Sequence, residues 1–330
     1  MLKNQDSFCD ATLFHNEFEI LEFRLGHLTK IVDHFYVAES QKTFSGKERE
    51  LVLKNYVRKL PSEIRNKVHV IEIPTSELNL SDPWSIEASS RNYLLSYVFE
   101  AAERSKMIFS DLDEIPSIDQ LIRTRFKNPN HKILNIPMKV SYRKANWELN
   151  NTKELWRYPK LVFLEKFKTP KELLNVREMI VDDLEGEPGL HLSYVGMNAG
   201  GIKEKFNAFS HTEFNRPKFY DSDLIALCDK YRISHLGDAH KSGMGLLREV
   251  LPQSFGSVQA SISISNPNWI SSGKNVPSKL MRIYKSLLIT YYLESNELKQ
   301  LKDSFKFFQN LLWVIKFCHS KLLQWFRRLM

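Results

Sequence analysis

The sequence lacks the features that mark several common classes of protein. Its three cysteines, Cys9, Cys228 and Cys318, are far apart and form no CxxC pair, which argues against a disulfide framework or a zinc ribbon and favours a reducing compartment. Neither a signal peptide before Asp6 nor a run of about 18 apolar residues is found, so we expect a protein that is soluble or attached to a membrane only at its surface. It also has no early Gly-rich phosphate loop and no internal repeat.

The composition is that of a folded, basic protein. The 330 residues are 42% hydrophobic and 12% aromatic, which is enough for a substantial core in one large or two small domains. A net charge of +8 and a pI near 9.2 favour an anionic partner such as a nucleotide diphosphate, a nucleic acid or an acidic membrane. Residues 297–330 hold seven Lys and Arg against two acidic residues, which is most of the excess, so we expect no nucleic-acid partner.

The hydropathy pattern predicts an α/β fold. In the first part of the chain, short apolar runs alternate with helical periodicity, which is typical of βαβ units and a mainly parallel sheet. Ligands of such sheets bind outside the carboxyl ends of the strands. The predicted strands are residues 8–14, 35–38, 68–73, 107–109, 133–142, 161–167 and 190–195, and the predicted helices are residues 17–32, 84–104 and 202–209.

The segment SDLDEIP carries the strongest chemical signal. Asp111 and Asp113 follow the apolar strand 107–109, and Pro116 prevents that strand from continuing. Two carboxylates two positions apart lie on the same side of an extended chain, where they can hold a hard divalent cation that neutralises a diphosphate. The alternative interpretation is a solvated acidic turn.

Three long blocks resemble one known family in the same order. They are DATLFHNEFEILEFRLGHLTKIVDHFYVAESQKTFSGK, IFSDLDEIPS and GLHLSYVGMNAGGIKEKFNAFSHTEFN, and the likeness extends over residues 6–253. They look like glycosyltransferase family 17, the bisecting β-1,4-N-acetylglucosaminyltransferases. The resemblance implies a GT-A type nucleotide-sugar-binding fold and inverting transfer from UDP-N-acetylglucosamine onto a saccharide. It also implies a divalent metal, usually Mn²⁺, with Mg²⁺ as the second option.

The resemblance also implies the metal ligands. Asp111 and Asp113 match the family's metal and diphosphate motif. His191, in GLHLS, matches a histidine of the corresponding family segment, although Leu190 stands here where the family has Trp. The alternative for His191 is a hydrogen-bonded histidine on a strand.

Further residues are candidates for binding the donor. Four polar residues end the first two strands, where such a fold binds base and ribose. Lys47 is placed to meet a phosphate or is an ordinary surface lysine, and Arg91 either reaches the diphosphate or pairs with Glu87 at i−4. The expected donor-binding set is Asn16, Glu17, Glu39, Ser40, Lys47, Arg91 and Asp111.

Inverting transfer needs a carboxylate that takes the proton of the acceptor hydroxyl. Glu213, in SHTEFN, is the first candidate, since it resembles an acidic position in related enzymes. Asp238, in HLGDAH, is the second. The alternative is that each is an ordinary loop carboxylate.

The carboxyl-terminal part is predicted to be separate. We expect a catalytic domain over residues 1–265, a linker-like segment over 266–277, and a helical, amphipathic, basic tail over 278–330. The tail fits an anionic membrane surface, where lipid-linked saccharide acceptors reside, or packs on the protein instead.

Animal members of the family carry an amino-terminal anchor, whereas the first strand is expected here at Phe8. We therefore expect a cytoplasmic enzyme of surface glycan synthesis, peripheral at the inner face of a membrane. A nucleotidyltransferase and a non-catalytic glycan- or membrane-binding protein are the rival hypotheses.

Overall fold

A computed structural model of the protein describes residues 7–125, 131–149, 155–236, 246–272 and Arg282. These residues form two compact units. The first contains residues 7–216 and 248–272, and the second contains residues 217–236, 246–247 and Arg282. The prediction for the tail, residues 278–330, falls outside the described residues apart from Arg282.

The first unit is built on two β-sheets with helices around them. One sheet has six strands in the order β3-β2-β1-β4-β9-β6, and the other has five in the order β11-β8-β7-β10-β5. The strands are β1 (Phe8–Leu13), β2 (His34–Ser40), β3 (Val68–Ile73), β4 (Lys106–Phe109), β5 (Glu114–Ile115), β6 (Ile133–Asn135), β7 (Met138–Tyr142), β8 (Trp147–Leu149), β9 (Lys160–Phe163), β10 (Gly189–Ser193) and β11 (Leu247–Glu249). The helices of this unit are α1 (Phe18–Leu28), α2 (Leu53–Val57), α3 (Ser62–Arg65), α4 (Pro83–Ala101), α5 (Ile118–Arg125), α6 (Ala199–Ala208) and α8 (Ser257–Ser265).

The first four strands run parallel, which confirms the α/β prediction. Strands β3, β2, β1 and β4 pair in parallel, while β9 is antiparallel to both β4 and β6. The second sheet is also mixed, because β10 is parallel to β7 and antiparallel to β5. Both sheets are therefore mixed, and the run of four parallel strands coincides with the segment where the sequence alternates regularly between strand and helix.

Alternating side chains of β1 pack in two separate hydrophobic clusters. Phe8 packs in the hydrophobic cluster that includes α1, whereas Cys9 and Ala11 pack in the cluster that includes α4. Successive residues of a strand point to opposite faces, so the two helices cover the two faces of the six-stranded sheet. Asp82 caps the amino terminus of helix α4, because its carboxylate accepts hydrogen bonds from the backbone N–H groups of Trp84 and Ser85.

Two predicted strands are wrong in extent. Residues 133–142 form two strands in different sheets, with the break at Pro137, which has no N–H to donate to a ladder. The backbone carbonyl of Pro137 instead accepts from Gly189, at the start of β10. Predicted strand 161–167 ends at Phe163, because Leu164–Lys166 turns into a 3-10 helix.

The beginning of the segment predicted to be linker-like is packed on the core. Pro267–Trp269 is a 3-10 turn, and the Trp269 side chain is buried in the same cluster as α1. The Trp269 carbonyl also accepts from the Ala145 N–H at 2.8 Å. Asn and Pro therefore make a turn over the core in residues 266–272, and the remainder of the segment lies outside the described residues.

The second unit contains helix α7 (Ser222–Tyr231). The Asp221 carboxylate caps its first turn by accepting from the Leu224 N–H at 2.8 Å, and Arg232 ends it in a left-handed conformation. The Arg282 side chain donates to the Tyr231 carbonyl at 2.9 Å. Within the described parts of the chain, no helix has the length and apolarity needed to cross a membrane.

Candidate active site

The acidic motif forms a tight turn between β4 and β5. The Glu114 N–H donates to the Asp111 carbonyl at 3.1 Å, and the Glu114 carboxylate accepts from the Asp111 N–H at 2.7 Å. Glu114 is fully buried. Its side chain therefore closes the turn that presents Asp111 and Asp113.

A buried arginine of α1 supports this turn from below. Arg24 pairs with Asp10 of β1 at 2.6 Å, and both side chains are buried. Its guanidinium also donates to the carbonyls of Asp111, at 3.1 Å, and Glu114, at 2.6 Å. Because a planar guanidinium has five donors in a fixed arrangement, these bonds hold the turn in one position relative to the sheet.

Both carboxylate oxygens of Asp111 are held by arginines. Arg91 of α4 donates to Oδ1 and Arg177, in the 3-10 turn Val176–Glu178, donates to Oδ2, each at 2.9 Å. Burial favours a raised pKa for the Asp111 carboxyl, but these two guanidinium groups hold the pKa well below its usual range. Asp111 is therefore ionised at neutral pH.

Each of the two arginines also binds a second carboxylate. Arg91 pairs with Glu87 at 2.5 Å, which is the i−4 contact considered from the sequence, in addition to its bond with Asp111. Arg177 pairs with Glu114 at 2.8 Å. Each arginine that neutralises Asp111 is thus also held by a second carboxylate.

Asp113 has a lysine and a histidine as neighbours. Lys205 of α6 donates to Asp113 Oδ2 at 2.7 Å and to Glu17 at 3.0 Å. Burial opposes the charge of Asp113, yet Lys205 and His191 lower the pKa of its carboxyl. For Glu17, burial outweighs Lys205 and the pKa is raised. The two carboxylates that share Lys205 therefore differ in how readily they take up a proton.

His191 lies on β10, with its ring against Asp113. Its Nε2 is 3.6 Å from Asp113 Oδ1 and 3.3 Å from the Ser193 hydroxyl, and its ring centroid is 4.7 Å from that of Trp156. Its Nδ1 is buried and has no hydrogen-bond partner. His191 and Asp113 thus bring two atoms of the kind that bind metals next to each other.

Side chains of this cluster offer a divalent cation only part of the ligands that it needs. Within the residues that the structure describes, no three His, Cys, Asp or Glu side chains are arranged to hold a metal ion. Asp113 Oδ1 and His191 Nε2 offer two ligands, and ions such as Mg²⁺ commonly take one or two carboxylates and complete their shell with water and substrate phosphates. The charge also fits, because the cluster has five carboxylates and three cations. These are Glu17, Glu87, Asp111, Asp113 and Glu114 with Arg91, Arg177 and Lys205.

Several residues expected to bind the donor make contacts within the protein. The Glu39 carboxylate accepts from the N–H groups of Val52 and Leu53, at 3.1 and 2.8 Å, and from Arg49 at 3.3 Å. The Ser40 hydroxyl accepts from the Lys42 N–H at 3.1 Å. Both side chains are buried, and these bonds fix the chain that follows β2.

Asn16 and Lys47 are on the surface of the same unit. Asn16 adopts a left-handed conformation after β1, and its Oδ1 accepts from Arg49 at 2.9 Å. Lys47 donates to the Asn207 side chain at 3.2 Å, which joins its loop to the end of α6. The structure therefore brings Glu17, Arg91, Asp111, Asp113 and His191 into one cluster, whereas it shows protein contacts for the other four.

Glu213 is connected to this arrangement through the chain, three residues after Ser210. The Ser210 hydroxyl bonds to Glu87, so the chain that leads to Glu213 begins beside the cluster. The Glu213 side chain is 53% exposed and bonds to His211 at 2.7 Å. Partial burial acts to raise the pKa of Glu213, but His211 lowers it below the ordinary value. Asp238, the second candidate base, lies outside the described residues.

Sequence reasoning missed Lys205, Arg177 and Trp156, whose side chains donate to carboxylates of the cluster, and Arg24, which holds the turn. Lys205 is three residues after Ile202 and four before Phe209, so helical spacing places it on the apolar face of α6, and a lysine there is a signal. Arg177 and Trp156, whose indole N–H donates to Glu114 at 2.5 Å, lie in irregular segments. No periodicity could have identified these two.

The sequence of the chain was compared with those of known proteins. A sequence model of Glycosyltransferase family 17 matches residues 1–236, more than two thirds of the chain. A search of curated proteins found no match. The matched range contains every described residue of the cluster.

Proposed function

The chain belongs to glycosyltransferase family 17, and from this we propose a metal-dependent, inverting transfer of N-acetylglucosamine from its UDP donor onto a saccharide. Family membership supports a glycosyltransferase with a nucleotide-sugar donor and a saccharide acceptor. The donor sugar, the metal, the GT-A type of the fold and a role in surface glycan synthesis are the finer parts of the proposal. One observation carries it: Asp111 and Asp113 are held among three cations at the carboxyl end of β4.

The chemical demand is on the leaving group. Breaking the glycosidic bond to the nucleotide leaves a diphosphate whose negative charge must be stabilised as it develops. Arg91, Arg177 and Lys205 come from three separate elements and their cationic groups meet at the acidic turn. Preorganised cations in a partly dry site stabilise such charge without having to rearrange during the reaction.

A divalent cation adds to these charges. Asp113 and His191 would hold it, and when bound it supplies positive charge to the departing nucleotide diphosphate. Asp111 would be the further ligand, and Arg91 and Arg177 hold its carboxylate at the turn.

The acceptor hydroxyl needs a base. We assign this role to Glu213, which has the required carboxylate near the cluster, and we keep Asp238 as the second candidate. Its bond to His211 lowers the pKa of Glu213, so Glu213 takes up a proton more readily when that bond is broken.

A turnover assay tests the proposal. The purified protein is incubated with a panel of nucleotide sugars, with Mn²⁺ in one series and a chelator in the other, and released nucleoside diphosphate is measured. We expect release of UDP from UDP-N-acetylglucosamine only in the Mn²⁺ series. Equal release in the chelator series contradicts the metal, and preference for another sugar contradicts the donor. Release of pyrophosphate from UTP would identify a nucleotidyltransferase.

We further propose that the basic tail, residues 278–330, attaches the enzyme to an anionic membrane at its cytoplasmic face. The support is the charge of residues 297–330 and their amphipathic pattern. Co-sedimentation with anionic liposomes at low and high salt tests this, because electrostatic attachment weakens as salt screens it. Equal sedimentation of a protein truncated after Pro277 contradicts it.

A further inference from the structure

A second site lies beside the acidic cluster. It is an open pocket of about 550 Å³ between the edge strand β6, its neighbour β9 and the segment that contains Arg177. The pocket is large enough for a small ligand, since binding sites for such molecules span about 300–1,000 Å³. Its walls combine an exposed aromatic ring, exposed aliphatic groups and charged groups of both signs.

The apolar part of the wall is held in place before any ligand arrives. The Tyr158 side chain is 40% exposed, its ring centroid lies 4.7 Å from that of Trp156, and the Arg177 guanidinium lies 5.9 Å from the ring. Ile180, which also lines the pocket, is fully exposed. A fixed ring with a solvent-facing surface suits the C–H face of a pyranose, since aromatic side chains provide large contact area at low entropic cost.

The polar part of the wall carries no net charge. The lining residues include three cationic side chains and three carboxylates, which are Arg157, Lys160 and Arg177 with Glu178, Asp182 and Asp183, and Arg157 pairs with Asp183 at 2.9 Å. The exposed carboxylates among the lining residues can accept hydrogen bonds from the hydroxyls of a neutral ligand, whereas they repel the phosphates of a nucleotide. The ligand class that fits both parts of the wall is a neutral saccharide.

Two residues connect this pocket to the cluster. Arg177 lines the pocket and also donates to Asp111 and Glu114. Trp156 contacts the Tyr158 ring on one side and the His191 ring, at 4.7 Å, on the other. A saccharide in the pocket therefore lies next to the group of residues that we assign to the donor.

We propose that this pocket, the Tyr158 groove, binds a neutral sugar unit of the acceptor and leaves the reacting hydroxyl free to extend to the acidic cluster. The inference rests on the proposed function and deepens it, because it gives the acceptor a place and a chemical class. Tyr158 is then a residue that sets acceptor affinity and takes no part in donor binding.

Saturation-transfer NMR on the full chain tests the groove. The probes are the methyl glycosides of N-acetylglucosamine, mannose and galactose, and UDP with Mn²⁺ is titrated separately. Tyr158→Ala is compared with Tyr97→Ala, a matched control on α4 whose side chain is 44% exposed. We expect at least one glycoside to bind, with affinity reduced about tenfold by Tyr158→Ala and unchanged by Tyr97→Ala. Tyr158→Phe, which keeps the ring, should retain binding.

A second variant covers the case in which Tyr158→Ala does not fold. Ile180→Arg changes a fully exposed side chain, so the fold is retained while a long charged group projects at the rim. It should weaken glycoside binding several-fold and leave the UDP titration unchanged. Absence of glycoside binding, or equal binding to the wild type, Tyr158→Ala and Ile180→Arg, overturns the groove.

The two proposals fail in different ways. If UDP-sugar turnover is present but glycoside binding does not depend on Tyr158, the groove is wrong and the proposed function stands. If glycosides bind through Tyr158 but no nucleotide sugar is bound or turned over, the donor chemistry is wrong and the groove remains a saccharide site.

Discussion

Glu39 and Asp113 are both buried carboxylates, each near the carboxyl end of a parallel strand, yet their surroundings differ. Glu39 is satisfied mainly by backbone N–H groups that follow it closely in sequence, at the start of α2. Asp113 faces Lys205 and His191, which lie far along the chain on α6 and β10. A carboxylate whose oxygens accept from nearby backbone N–H groups stabilises a loop. A carboxylate that faces charged side chains from other elements, and that has an oxygen without a close hydrogen bond, can bind a ligand.

The largest expected difference between Asp113 and Glu39 is the loss of activity when Asp113 is changed. Asp113→Asn keeps the shape of the side chain but removes the charge, so we expect transfer to fall about a thousandfold and Mn²⁺-dependent UDP binding to disappear. Calorimetry with UDP and Mn²⁺ and a thermal unfolding curve measure both properties. A folded variant that binds UDP–Mn²⁺ with unchanged affinity would show that Asp113 is as structural as Glu39.

The second largest expected effect is a fall in kcat when Glu213, the proposed base, is changed. Glu213→Gln should lower kcat by about a hundredfold or more while donor binding persists, because an amide does not accept the proton. Steady-state kinetics with saturating donor give the value, and Glu204→Gln on the exposed side of α6 is the control. Nearly normal kcat in Glu213→Gln moves the role to Asp238.

Glu39 is expected to affect stability only. Glu39→Gln replaces charge-assisted bonds by an amide with one acceptor oxygen, and the loss should be about 2 kcal/mol of unfolding free energy. Urea denaturation gives this difference. Activity per folded molecule should be unchanged, and a large fall in donor affinity without loss of stability would place Glu39 in the donor site after all.

The smallest expected effect is the pH dependence of stability that the buried side chain of His27 causes. Burial lowers the pKa of His27 to about 4, and its Nε2 lies 3.3 Å from the Pro116 carbonyl. The unfolded chain binds a proton near its ordinary pKa of about 6.5, so stability falls as the pH drops from about 6.5 to about 4. At pH 5, the loss of unfolding free energy should be smaller by about 1–2 kcal/mol in His27→Gln than in the wild type. Parallel stability profiles of the two proteins would exclude His27 as the cause.

The sequence by itself determined the parallel α/β half of the molecule and the acidic turn. Strand 68–73 was predicted with its observed bounds, because its apolar pattern is bounded by turn residues, and Asp111 and Asp113 follow β4 as expected. Less regular segments were harder to predict. The 133–142 run was expected as one strand, although its Pro137 breaks the ladder and sends the two halves into different sheets.

Only the tertiary structure decided which charges meet. Asp111 is neutralised by Arg91 and by Arg177, which is 66 residues away in an irregular segment. The pairing of Lys205 with Glu17, 188 residues apart, is equally invisible in the local pattern. Periodicity records which face of an element is buried, but it carries no information about which buried faces come together. That depends on the packing of the whole domain, which brought the cations, Trp156 and the groove to the acidic turn.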